Sequence, residues 1–344
     1  MEVVDHYGDA LVEHSALRAT AAMLDLSFRS RVCLTGADRQ RFLNGQVTNN
    51  VTGLKTGEGC YAALVTAKGK MQSDLNVYCL AQEILLDFEP GLSGAIAQRF
   101  EKYIIADDVQ VVDVSAHYGL LSVQGPKSAE VVNEIGLGLK LAGSPMNFAS
   151  VTDPALSEIY CMNQPRGTAA GFDLFVPTPA LGAVAEKLIA SVRKVGGRVC
   201  GWQALEMARI ETGIPRFGAD MDETNLPPEA GIEDRAVSYS KGCYIGQEVI
   251  ARIRTYGQVA KSLRGLLLSG DLNELPKRGE KLFLGDREVG YITSALTSPT
   301  FRRNIALGYV RRECLQPGTE LTLRSNGREW PVKTVALPFN PGCD

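Results

Sequence analysis

Histidine is scarce in this chain, with three in 344 residues. His6, His14 and His117 stand far apart, so no acid–base pair, metal cage or Cys/His hydrolase arrangement is legible around them. Metal spacing is missing too. The eight cysteines, at positions 33, 60, 79, 161, 200, 243, 314 and 343, include no C-x-x-C, which argues against the chain itself ligating zinc or a cluster. Scattered free thiols fit a reducing compartment. No apolar run approaches about 18 residues, so no membrane span is expected. The opening Met1-Glu2-Val3-Val4-Asp5 is acidic where a presequence would be basic, and a cytoplasmic location is expected. With a net charge of −3 there is no basic surplus, and nucleic acid is not an expected partner.

What is present has the balance of a soluble globular protein, 45% apolar and 22% charged. The length calls for two or three domains. Ala16 to Leu24 is Ala- and Leu-rich and predicts a helix stopped by Asp25-Leu26-Ser27. Arg31 to Thr35 alternates like a strand, and Asp38 is positioned to cap a short helix carrying Phe42 and Leu43. Tyr61 to Thr66 and Met71 to Leu80 predict a hairpin about residues 67–70. A strand at Ile84 to Phe88, a helix from Leu92 to Tyr103 and a strand at Val109 to Val114 complete the first unit.

The pattern then starts again. Leu120 to Pro126 repeats the strand, glycine and helix-start order of Val32 to Ala37, with Gly125 standing 89 residues after Gly36. Phe172 to Pro177 repeats Leu85 to Pro90, with Pro177 standing 87 residues after Pro90. Either a duplicated α+β unit or convergent strand–proline–helix order explains the two offsets. Helices are expected at Ala180 to Val195 and Trp202 to Glu211, followed by an ordered loop through Asp220 to Pro228. Beyond Gln258 come short strands at Leu263 to Leu268, Lys281 to Leu284, Glu288 to Thr293, Ile305 to Val310 and Leu321 to Arg324. Asn326-Gly327 is the strongest hairpin turn among them, and a small barrel or sandwich is expected.

One octet resists a packing explanation: Lys241-Gly242-Cys243-Tyr244-Ile245-Gly246-Gln247-Glu248 sets a lone thiol between glycines ahead of a helical run. Ile245, Val249 and Ile253 share a helix face, and Glu248 and Arg252 form an i, i+4 pair. Cys243 at or just before that helix, with Lys241 nearby, predicts a depressed thiol pKa. A small buried hydrophobe in a glycine turn is the plain alternative.

The octet, together with Arg209 to Gly218, Leu226-Pro227-Pro228-Glu229-Ala230-Gly231, Asp25-Leu26-Ser27 and Phe42 to Asn49, resembles YgfZ-type folate-binding proteins. That family supports iron–sulfur-cluster enzymes and is related to the glycine-cleavage T-protein, a tetrahydrofolate-dependent aminomethyltransferase. The resemblance implies an α+β fold with two similar α+β domains around a central cleft and a C-terminal β-barrel. Residues 1–114 with 200–258 would form the first domain, 115–199 the second and 259–344 the barrel.

It also implies tetrahydrofolate or a derivative as ligand, iron–sulfur-cluster proteins or their assembly machinery as partners, and Cys243 as the functional thiol, acting as nucleophile, transient ligand or redox switch. A pterin edge wants a carboxylate and a glutamate tail wants a cation. Asp74 and Glu211 are the candidate carboxylates, Lys241 and Arg252 the cations, and Asn44 and Gln46 candidate amide contacts. Glu211 could equally form a salt bridge with Arg209 or Arg216, and the cluster of Asn44, Gln46, Thr48 and Asn49 could equally cap and turn the chain. The sequence departs from the T-protein pattern at Ser73, where the first of two adjacent aspartates is expected, and at Ala169, where a glutamate is. A C1 transferase and a non-catalytic scaffold for a client protein are the rival functions.

Overall fold

The structure, a computed structural model, describes residues 3–257, 259–272, 274–325 and 327–340. The chain divides into two compact units. One takes in residues up to Val65 with Ser73–Glu206 and Ala236–Ile245; the other takes in Thr66–Gln72, Met207–Arg235 and the chain from Gly246 onward.

In chain order the elements begin with α1 (Ala10–Ala19), β1 (Ala22–Asp25), β2 (Ser30–Thr35), α2 (Arg39–Gln46), β3 (Gly59–Val65), β4 (Met71–Cys79), β5 (Ile84–Phe88), α3 (Ser93–Glu101) and β6 (Gln110–Asp113). There follow β7 (Tyr118–Gln124), α4 (Ser128–Glu134), β8 (Phe148–Asp153), β9 (Ser157–Asn163), β10 (Gly171–Pro177), α5 (Leu181–Lys194), β11 (Arg198–Val199) and α6 (Trp202–Glu211). The first unit holds two sheets, of order β3-β4-β5-β2-β6 and β11-β1-β7-β10-β9-β8.

The two sheets share a pattern of pairing. In each, the strand before a positive-φ glycine, β2 before Gly36 and β7 before Gly125, pairs antiparallel with the strand before a helix, β5 or β10. Both glycines are required: a Cβ at Gly36 would meet the Asp108 carbonyl oxygen at 2.1 Å, and one at Gly125 the Thr20 carbonyl oxygen at 2.8 Å. The strands that lead into the repeats cross over. β1 precedes β2 yet pairs with β7, while β6 precedes β7 yet pairs with β2. Each sheet buries its own apolar core, around Leu34, Leu43, Val77 and Phe100 in one and Val123, Leu174, Val184 and Leu188 in the other.

Two local expectations are corrected. The first helix starts and ends earlier than Ala16 to Leu24, because Asp9 caps it by accepting from the Leu11 amide at 2.8 Å and the chain leaves helical geometry at Thr20. Met23 and Leu24 then pair with Val123 and Ser122, tertiary pairing overriding their helical propensity. Asp38 precedes α2 without capping it; its carboxylate accepts instead from the Asp108 amide at 3.0 Å.

The second unit contains α7 (Glu233–Ala236, whose last residue falls in the first unit), α8 (Gln247–Tyr256) and a closed barrel of β12 (Lys261–Leu268), β13 (Lys281–Leu284), β14 (Arg287–Ser298), β15 (Arg303–Arg311), β16 (Glu320–Ser325) and β17 (Arg328–Val335). The expected short strands are present as a barrel of order β12-β15-β14-β13-β16-β17. Asn326 lies outside the described residues, as do Gln258 and Cys343; its neighbour Ser325 pairs with Arg328. Strand β17 carries a proline, Pro331, which falls just outside the register with β12, where pairing begins at Val332 with Leu268. The loop through Asp220 to Pro228 is ordered, since the buried Asp220 accepts from Arg209 at 2.6 Å, Thr293 at 2.6 Å and Ser294 at 2.7 Å. No helix among the described residues is long and apolar enough to cross a membrane.

Candidate functional site

The stretch before the octet's helix is strapped across the end of α2. Thr48 Oγ1 donates to the Ala236 carbonyl at 2.6 Å, the Ser238 amide to the Thr48 carbonyl at 3.0 Å and the Ile245 amide to the Gly45 carbonyl at 3.1 Å. Lys241 fixes the middle. Its buried ammonium donates to the carbonyl oxygens of Asn44 at 2.6 Å, Val47 at 2.8 Å and Asn49 at 2.7 Å. A helix C-terminus leaves carbonyls without intrahelical partners and carries partial negative charge, and an ammonium has three donors to offer. Burial lowers the Lys241 pKa to about 8, with nearby Cys60 acting the other way, so at neutral pH the charged form fills all three acceptors. The Tyr244 ring lies 5.0 Å from the same nitrogen.

This anchoring presents Cys243 at the surface. It is the one exposed thiol among the described cysteines; Cys33, Cys79, Cys161, Cys200 and Cys314 are buried and Cys60 is half-buried. The helix begins later than expected, at Gln247, so Ile245 is outside it and Cys243 stands four residues ahead of it. Of the octet's glycines, Gly246 is the one whose backbone requires glycine, with φ +87.

Asn44, whose carbonyl meets Lys241, and Gln46 lie at this end of α2, but their side chains are engaged within the protein. Asn44 Oδ1 accepts from the Val51 amide at 2.9 Å and Gln46 Oε1 from Arg99 at 2.7 Å. Thr48 and Asn49 likewise turn the chain, Asn49 donating to the Tyr61 carbonyl at 2.8 Å.

Asp74 occupies a different place in the first unit. Adjacent strand residues point to opposite faces: Ser73 is fully buried and Asp74 half-buried. Asp74 Oδ2 accepts from the Tyr61 hydroxyl at 2.8 Å, and no partner for Oδ1 occurs among the described residues. Burial raises the Asp74 pKa, Glu89 pushes the same way, and the Tyr61 bond and Arg29 pull against them.

Behind it runs a charge network that sequence patterns did not reveal. Arg29 pairs with Asp87 at 2.9 Å and Glu89 at 2.5 Å, and Arg166 bridges Asp87 at 3.2 Å and Asp173 at 2.5 Å. Asn76 donates to Asp87 at 2.9 Å and Ser122 to Asp173 at 2.7 Å. Burial alone would raise the Asp87 pKa, but Arg29 and Arg166 hold it down at about 2. A usable signal was there: single acids interrupt the apolar runs Leu85-Leu86-Asp87-Phe88 and Phe172-Asp173-Leu174-Phe175, and a buried charge needs a partner. Arg166 belongs to the same loop as Ala169, which is exposed and offers only a methyl group.

Glu211 and Arg252 lie in the second unit. Glu211 is 2% exposed and ties the end of α6 to the turn after β14, accepting from Ser298 and from Thr300, whose hydroxyl lies 2.8 Å away. Arg252 is exposed on α8. No group of three or more His, Cys, Asp or Glu that could hold a metal ion occurs among the described residues.

Residues 4–241 match the family described as GCVT N-terminal domain, and residues 261–340 match the glycine cleavage T-protein C-terminal barrel domain. An aminomethyltransferase of Streptomyces coelicolor is 30% identical, over 97% of this chain and 90% of that protein. One of Halothermothrix orenii is 27% identical, over 97% of this chain and 92% of its own length. Among solved structures, the glycine cleavage system aminomethyltransferase T of Bartonella henselae superimposes with a TM-score of 0.88 at 23% identity, covering 98% of this chain and 91% of that one.

Proposed function

This chain belongs to the glycine-cleavage T-protein family, which uses tetrahydrofolate, and from that premise we propose that it binds tetrahydrofolate or a derivative and works through Cys243. Asp74 would accept from the donor edge of the pterin through Oδ1, with Tyr61 holding the other oxygen in place. One carboxylate fits that task. The residues at the positions of the missing T-protein acids, buried Ser73 and exposed Ala169, supply no second one, so the ligand would be held by fewer charge-assisted bonds than in a T-protein.

The finer reading is an accessory protein of the YgfZ type that sustains assembly or repair of iron–sulfur-cluster enzymes. The observation that carries it is the exposure of Cys243 on a strap pinned by Lys241. An exposed thiol held on a fixed backbone can meet a partner's sulfur, metal or electrophile, whereas the buried cysteines cannot. Residues 1–114 with 200–258, 115–199 and 259–344 would be its three domains.

The second reading is transfer of a one-carbon unit to tetrahydrofolate. It is supported by the relatives, which are named aminomethyltransferase, more directly than the iron–sulfur reading is. The two separate in one set of measurements on purified protein and on cells. Calorimetric binding of tetrahydrofolate, no methylene transfer from an aminomethyl donor, and loss of cluster-enzyme activity in a folded Cys243→Ser variant support the accessory role. Turnover that survives Cys243→Ser would establish the transferase in its place, and intact cluster-enzyme activity in that variant would leave a scaffold.

A further inference from the structure

A cavity of about 690 Å³ opens in the first unit among α5, β1, β7, β11 and the segment leading into α1. That volume suits a small molecule. Its floor is apolar, made by Met23, Leu121 and Ile189, which belong to the core beneath α5. The charged groups at its rim differ in how they are satisfied.

Each rim carboxylate already accepts from a backbone amide: Asp9 from Leu11 at 2.8 Å, Asp25 from Ser27 at 2.9 Å, and Glu13 from Tyr7 at 2.7 Å and Gly201 at 2.8 Å. Arg193, in the last turn of α5, and Arg198, in β11, also line the cavity and are both exposed. Neither guanidinium has an acceptor among the described residues. The pocket therefore pairs an apolar floor with two planar donor forks in want of an anion, the group arginine recognises in bidentate geometry.

We propose that this cavity binds a small amphipathic anion, its apolar body on Met23, Leu121 and Ile189 and its carboxylate or phosphate held by Arg193 and Arg198. The site is separate from Asp74 and from Cys243, and it stands whether or not folate binds. Nothing covalent happens there.

The test is calorimetric titration of the full chain with octanoate, octyl phosphate and octylammonium. Saturable binding of octanoate, of octyl phosphate or of both is expected, and the arm that binds more tightly assigns the anion as carboxylate or phosphate. Octylammonium, with the same apolar body, should fail to bind. In the double variant Arg193→Gln, Arg198→Gln the dissociation constant of the bound anion should rise at least about tenfold. Both side chains are exposed, so the melting temperature should stay within a degree or two, separating lost binding from lost folding. Absence of saturation with both anions, equal binding of octylammonium, undiminished binding by the double variant, or displacement by tetrahydrofolate would each overturn the assignment.

Discussion

The Nζ atom of Lys241 lies 2.6 Å from the carbonyl oxygen of Asn44, 197 residues earlier in the chain. A residue read from sequence as a cation beside a thiol is therefore a helix cap. Replacing it by methionine, Lys241→Met, keeps the apolar stem but leaves the Asn44, Val47 and Asn49 carbonyls unmatched. A loss of about 1–3 kcal/mol is expected in urea unfolding. Lys241→Arg should not restore it, because a planar fork cannot meet three carbonyls arranged for a tetrahedral ammonium.

Among the described cysteines, alkylation should single out Cys243. Under native conditions iodoacetamide should modify it before Cys33, Cys79, Cys161, Cys200 and Cys314, which are buried, and before Cys60, whose thiol burial pushes up to about 12. Mass spectrometry of a short reaction reads the order directly. In Lys241→Met the selectivity should fall as the strap loosens.

The two glycines around that thiol should respond unequally. Gly246→Ala forces a side chain into left-handed backbone at φ +87 and should cost about 1–2 kcal/mol. Gly242→Ala meets nothing within 4 Å and should change stability by less than about 0.5 kcal/mol. Paired thermal melts give the comparison.

Acid stability should depend on Asp87. Its pKa is lowered in the folded chain from 3.8 to about 2, so the unfolded chain binds the proton more readily. The contribution is complete above pH 3.8 and disappears as pH falls through about 2, and its size is about 2 kcal/mol. Asp87→Asn should flatten that limb of the stability–pH curve. At pH 7 it should cost about 3–5 kcal/mol, since Arg29 and Arg166 would be left buried with less compensation.

Glu211→Gln should weaken the barrel end. Its oxygens accept from Ser298 and Thr300, and exchanging the carboxylate for an amide removes a charge-assisted acceptor. We expect a loss of about 1–3 kcal/mol in denaturant titration. Affinity for tetrahydrofolate should be unchanged.

Much of this fold could be read because its signals were local. Gly36 and Gly125 announced two equivalent strand-to-helix turns, Ile84 to Phe88 was apolar but for Asp87 and so legible as an inner strand, and Trp202 to Glu211 kept one helical face. What escaped depended on distant partners. β1 looked helical until its pairing with β7 was seen; β8 and β9 carry mixed polar faces; β17 contains a proline that the register with β12 excuses. The candidate site divides the same way. The octet marked Cys243, but no spacing rule shows that Lys241 would reach Asn44 or that Arg29 and Arg166 would converge on Asp87.

The crossing of β1 and β6 says something about origin. Two copies of a single repeat that traded their leading strands as a symmetric dimer, and were later joined end to end, would have this connectivity. Separating the halves again would leave each missing a strand supplied by the other, its sheet edge bare. A shortened version that dropped either leading strand would bare the edge of β7 or of β2, a row of unpaired backbone groups open to association.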